Sequence, residues 1–156
     1  MKNNKCERGV ARLYAVLALF QFSHSDDSVD VIFDDFLSKN ASREPKIDSV
    51  PIKKMHIKFF KQLVETAAKN LDEITPIVKE HLNENWTLDR LDPVALCILQ
   101  LGICELKYFN TIPSIVIMDE YTEVAKSFFT KTNTAFINGI LNTVARKLRP
   151  NDKFKD

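Results

Sequence analysis

Glycine is scarce: Gly9, Gly102 and Gly139 are the only three in 156 residues. That scarcity disfavours glycine-rich phosphate loops and a turn-rich all-β fold, and it suits a helical protein. Cysteine is as sparse, and Cys6, Cys97 and Cys104 form no C-x-x-C pair. Zinc-ribbon and thioredoxin-type chemistry therefore have no support, and small core residues in a reducing cytosol are the better reading. His24, His56 and His81 fall on separate segments without metal-ligand spacing. No H-E-x-x-H, G-x-S-x-G, Walker or dinucleotide pattern occurs. The sequence thus predicts no catalytic residue, no metal and no cofactor. Net charge is only +1, so no overall field draws in nucleic acid or membrane. No apolar run approaches the roughly 20 residues of a membrane span. "LYAVLALF" (Leu13–Phe20) behind a basic start imitates a secretory leader, but Arg12 abuts it and Glu7 interrupts the basic region.

What is present is helical periodicity. Hydrophobic residues make up 45% of the chain, enough for one compact domain with a real core. The spacing predicts helices over residues 6–23, 29–38 and 52–71. A shorter one follows, with Thr75 as N-cap and Pro76 at its first position. Asp92-Pro93 starts another in the same way, and from there to Phe109 the chain is apolar nearly all round, as a central helix must be. Two more helices are predicted over 114–129 and 133–148. Asp89 and Asp92 are a close carboxylate pair, read as a turn and a cap rather than an acid–base dyad. "NASREPKIDSVP" (40–51) reads as a loop. No β-alternation of useful length appears.

Local charge stands out at both ends. Lys5, Arg8 and Arg12 lie three and four apart and share a stripe on the first helix. Lys54, Lys58 and Lys61 form a second stripe, and Arg146, Lys147, Arg149, Lys153 and Lys155 enrich the tail, whose bland reading is a solvated end. Phe136 falls at the rim of the last helix's core face. Basic stripes near a rim aromatic suit single-stranded RNA, with cations on phosphates and a base on the ring. Glu105 has no assignment from periodicity.

"LDRLDPVALCILQLGICELKY" (Leu88–Tyr108), "IPSIVIMDEYTEVAKSF" (Ile112–Phe128) and "FINGILNTVAR" (Phe136–Arg146) closely resemble the NusB family of bacterial transcription antitermination factors. "ARLYAVLALFQ" (Ala11–Gln21) is similar to that family's first helix. The likeness runs throughout from about 86 to 149; the stretch 26–84 agrees only in helix count and length. It implies an all-α fold of about seven helices in two packed three-helix-like halves, about 1–85 and 86–149. Together with a polar basic tail, 150–156, these would make one NusB-like domain. It implies a cytoplasmic protein that is not an enzyme. Its partners would be the ribosomal protein NusE and the boxA element of nascent ribosomal RNA, with NusA, NusG and RNA polymerase in a larger complex. Some members form homodimers that hide the RNA surface.

By the same resemblance Arg8 and Arg12 match an RNA-contacting arginine patch, with Lys5 beside them, and Thr132 and Phe136 match positions close to the RNA. Phe20 and Glu105 match positions facing NusE. The chain departs from the family where it reads Glu7-Arg8-Gly9-Val10 in place of consecutive basic residues, and at Phe129 and Ala135. Two other expectations stand beside the main one. One is a helical adaptor with weakened RNA binding. The other is a domain related to the RNA-recognition part of ribosomal RNA cytosine methyltransferases.

Overall fold

The computed structural model describes residues 3–39, 55–84 and 87–155, without the side chains of 3–6 and 38–39. Lys54 and the whole of the 40–51 stretch therefore lie outside the described residues, as does the Lys5 side chain, although its backbone is helical. The elements are α1 (Asn3–Ser23), α2 (Val29–Asp34) running into a π-helical turn (Asp35–Lys39), α3 (Ile57–Lys69) and α4 (Leu71–Glu80). After a 3-10 turn (Leu88–Arg90) come α5 (Pro93–Tyr108), α6 (Ser114–Lys126) and α7 (Lys131–Leu148). Among the described residues there are seven α-helices and no strand, the all-α architecture the sequence indicated.

α5 is the axis of the molecule. Asp92 caps it, its carboxylate accepting from the Val94 N–H at 2.8 Å and the Ala95 N–H at 3.3 Å, with Pro93 in the first turn. These satisfy orphan donors at the positive end of the helix. Ala95 and every residue from Cys97 to Leu106 are buried, because α5 packs against α1, α3, α4, α6 and α7. Gly102 lets α7 close on it: a Cβ there would stand 2.8 Å and 3.1 Å from the two methyls of Leu141. The buried residues of both expected halves form one hydrophobic cluster. α1 joins them, packing on α2 and α3 on one side and on α5 and α6 on the other.

Two local expectations are corrected. Thr75 is not an N-cap. α4 starts at Leu71, directly after α3 and Asn70, so Pro76 lies inside the helix. The proline's missing N–H frees the carbonyl of Asp72, an exposed residue where water can replace the bond. Thr75 instead accepts, through its hydroxyl, from the buried Gln100 amide at 3.1 Å. The third helix is capped by His56, whose Nδ1 accepts from the Phe59 N–H at 3.1 Å, and begins at Ile57.

In the basic tail Arg146, Lys147, Lys153 and Lys155 are exposed, as the solvated-end reading expects, but Arg149 is not. Arg149 spreads its guanidinium over the end of α5, donating to the carbonyls of Glu105 (3.1 Å), Leu106 (2.8 Å), Phe109 (2.9 Å) and Ile112 (2.5 Å). These include carbonyls that a helix C-terminus leaves without partners. Asp152 pairs with Arg149 and accepts from the N–H and hydroxyl of Ser114 at the start of α6. Those bonds from Ser114, with the Arg149 charge, hold the Asp152 carboxyl below its ordinary pKa. Beyond it, Phe154 lies under the Arg146 guanidinium at 4.6 Å, and Lys155 pairs with Asp119 at 2.8 Å.

Candidate nucleic-acid interface

The stripe expected on α1 is broken by burial. Arg8 is exposed, but Arg12 is 2% exposed and points inward. Its Nε and Nη2 donate to the two oxygens of Glu105 at 2.7 Å and 2.8 Å, a bidentate pair, and Nη1 reaches Glu120 at 3.3 Å. The Tyr121 hydroxyl donates to the same Glu105 carboxylate. Three helices, α1, α5 and α6, thus meet on one fully buried carboxylate.

Burial opposes the Arg12 charge, but the hydrogen bonds and charge of Glu105 outweigh it, and the arginine pKa is held above its ordinary value. Burial, and then the Glu105 charge, push the Tyr121 phenol well up, so it stays a donor. Two expectations fall here. Arg12 does not offer its guanidinium to phosphate, and Glu105 does not face a partner, because each is the other's buried counter-ion. The signal for this was present in neither neighbourhood, since the two residues are 93 apart in sequence.

At the surface end of α1, Arg8 rests on the ring of Phe59 from α3, its guanidinium carbon 5.1 Å from the ring centroid. Arg12 lies over the same ring at 4.9 Å. Phe59 itself is edge-on to Phe109 at 5.8 Å and to His56 at 6.3 Å. Nothing in the helical pattern of α3 marked Phe59 as more than a core residue. Its burial at 3% was legible; its two arginines were not.

Thr132 and Phe136 sit together elsewhere. Both are exposed on α7 and one turn apart. They line a groove of about 370 Å³ with Arg90, Leu91, Asp92, Ala95, Phe129, Asn133 and Ile137. Its walls are mostly hydrocarbon, with Arg90, Asp92, Thr132 and Asn133 as polar groups. The groove lies at the N-terminal end of α5, beside Asp92, whereas Glu105, with Arg12 of α1 paired to it, lies 13 residues further along the chain, near the C-terminal end of α5. At 1.5 Å per residue that is about 20 Å. The α1 and α7 candidates therefore stand at opposite ends of the central helix. Phe20, the other expected partner contact, is half-buried and stacked on His24, with ring centroids 4.2 Å apart.

Among the described residues no three or more His, Cys, Asp or Glu side chains could hold a metal ion. The histidine Nδ1 atoms face backbone: His24 the Phe20 carbonyl, His81 the Ile77 carbonyl, and His56 the N–H of Phe59. Burial pushes the Cys97 thiol up to about 12 and the Cys104 thiol higher still, so neither is a nucleophile at neutral pH. No helix among the described residues is long and apolar enough to cross a membrane.

The sequence model of the NusB family matches residues 10–146. A transcription antitermination protein NusB of Caulobacter vibrioides is 35% identical over 150 residues, covering 96% of this chain and 99% of that protein. One of Granulibacter bethesdensis is 34% identical over 148 residues, covering 93% and 91%. Among solved structures, NusB of T. maritima superposes with a TM-score of 0.72 at 28% identity, covering 90% of this chain and 91% of that one. A structure of antitermination factors NusB and NusE in complex with double-stranded RNA gives a TM-score of 0.72 at 23% identity, covering 90% and 97%. That last likeness speaks for the fold alone.

Proposed function

The chain belongs to the NusB family, a family of transcription antitermination factors and not of enzymes, and on that premise we propose that it binds NusE and boxA RNA. In this reading the pair loads onto nascent ribosomal RNA leaders and, with NusA and NusG, helps RNA polymerase read through terminators. The observation that carries it is the family match across residues 10–146. Geometry supports it: an exposed arginine seated on an aromatic ring at one end of α5, and a groove edged by Phe136, Thr132 and Arg90 at the other. A single strand could lie across both, its phosphates on cations and a base against Phe136. Phe20 remains the described candidate for the NusE side, and Lys5 would extend the Arg8 end.

The test is a titration of fluorescent boxA RNA with the protein alone and with purified NusE. Binding should tighten when NusE is present, and Arg8→Gln should weaken it. No gain from NusE would sink the proposal. One observation favours the second reading, an adaptor with weakened RNA binding: Arg12 is internal, so the family's arginine patch is thinner here than the sequence suggests. A salt-insensitive RNA affinity would select that reading. A homodimer that hides the RNA surface would show as a heavier species in sedimentation, dissociating as NusE is added.

A further inference from the structure

The starts of two helices meet at the exposed end of α1. The His56 N–H donates to the Glu7 carbonyl at 3.0 Å, which fixes the first turn of α3 beside Arg8. Phe59, three residues on, carries the Arg8 guanidinium on its face at 5.1 Å. His56 and Phe109 pack on the same ring at steep angles, 79° and 74°, and the ring is buried, so its neighbours orient the platform. A guanidinium lying on a ring keeps its N–H groups available for phosphate oxygens and gives up fewer rotamers on binding.

Lys58 directly precedes Phe59 and is exposed. Successive helical residues point about 100° apart, so while Phe59 faces inward Lys58 stands outside the same junction. Lys61, also exposed, lies over the Phe33 ring at 5.7 Å, on the α2 side. Glu7, partly exposed, is the acid next to Arg8 in sequence.

We infer that the phosphate-contacting surface spans α1 and α3: Phe59 positions Arg8, and Lys58 supplies a second cation where α1 offers Glu7 and a buried Arg12. The inference rests on the RNA reading proposed above. The ligand is the sugar–phosphate backbone of single-stranded RNA, and Phe59 acts on it only through Arg8.

The experiment measures affinity of the protein–NusE complex for fluorescent boxA RNA over a range of salt concentrations. Lys58→Gln should lower affinity about threefold to tenfold and make the plot of log affinity against log salt shallower by about 0.7, the signature of one lost phosphate contact on a single strand. Phe59→Leu should lower affinity severalfold in the natural background and leave it unchanged when Arg8 is already Gln. Equal losses in both backgrounds, or an unaltered slope for Lys58→Gln, would overturn the inference while the wild-type titration still upholds RNA binding. If Phe59→Leu does not fold by circular dichroism, Arg8→Lys takes its place. An ammonium should keep the salt slope yet lose several-fold in affinity, and full affinity in that variant would overturn the positioning role. A wild-type complex that ignores boxA RNA overturns both readings together.

Discussion

Replacing Glu105 by alanine is the sharpest perturbation the fold offers. The substitution leaves the Arg12 guanidinium, 2% exposed, without its bidentate partner, and leaves the Tyr121 hydroxyl without the carboxylate it donates to. Glu120 reaches Arg12 through a longer contact, at 3.3 Å, and is itself partly solvated. Breaking a buried pair by removing one partner costs about 3–5 kcal/mol, most of it the penalty of the charge left behind. For a chain of this size each kcal/mol moves Tm by roughly 2–4 °C, so the midpoint should fall by about 6–20 °C. Urea and thermal melts followed by far-UV circular dichroism read this directly.

The comparison that isolates the cause is the triple change Arg12→Met, Glu105→Leu and Tyr121→Phe. It removes the polar groups together and should recover most of the loss. Glu123→Ala serves as the exposed control. Its pair with Lys126 at 2.9 Å is solvated on both sides, and it should move stability by no more than about 0.5 kcal/mol. The reasoning is refuted if Glu105→Ala costs less than about 1 kcal/mol, as a surface pair would, or if the triple variant is no better than the single one. A stable Glu105→Ala that has lost NusE binding would return Glu105 to a surface role.

Two further outcomes follow from the packing. Gly102→Ala places a methyl against the fully buried Leu141, 2.8 Å from its nearer methyl carbon, and should destabilise by about 1–3 kcal/mol in the same melts despite alanine's better helix propensity. Leu141→Ala in that background should recover less than it removes unless the two residues share one space, so a loss smaller than the sum of the singles checks the contact. Cys97, with its thiol pKa raised by burial to about 12, should have roughly one part in ten thousand as thiolate at pH 8. Cys97 and Cys104 should therefore resist a thiol reagent in the native protein and react at once in denaturant. Rapid labelling of either in the folded state, read by mass spectrometry, would contradict their placement.

The sequence disclosed what depends on neighbours. Asp92-Pro93 declares the start of α5 because a cap and a first-turn proline act within one turn. The apolar circumference behind them announced a surrounded helix, and helical spacing placed Ile137, Ile140, Leu141, Val144 and Leu148 on the inward face of α7, of which all but the exposed Leu148 at its last turn are buried. Helical spacing also joined Arg12 to Arg8 and Lys5, and there it misled. A stripe on one helix says which residues point the same way, not what lies opposite, and opposite Arg12 lies Glu105 from another helix. Arg149 looked like one charge among five in a tail for the same reason: its four carbonyl partners belong to α5 and the loop after it. Thr75-Pro76 misled differently. The local pattern of a helix start was genuine, but α3 and α4 are separated by Asn70 alone, and continuation prevailed over a new cap. At the site, Thr132 was named by the resemblance alone and Phe136 also by its rim position; the fold sets them one turn apart on α7, while Phe59 and Arg90 came into view only with the fold.

Arg149 also imposes an order on assembly. The end of α5 forms at Tyr108, but the guanidinium that satisfies its last carbonyls arrives 41 residues later. At roughly 5–20 residues per second, a ribosome takes about 2–8 s to add that stretch. Native packing of the most apolar helix of the molecule is completed only when α6 and α7 cover it. Until the Arg149 guanidinium docks, the carbonyls at that helix end take those bonds from water instead, so the far end of the chain closes the fold.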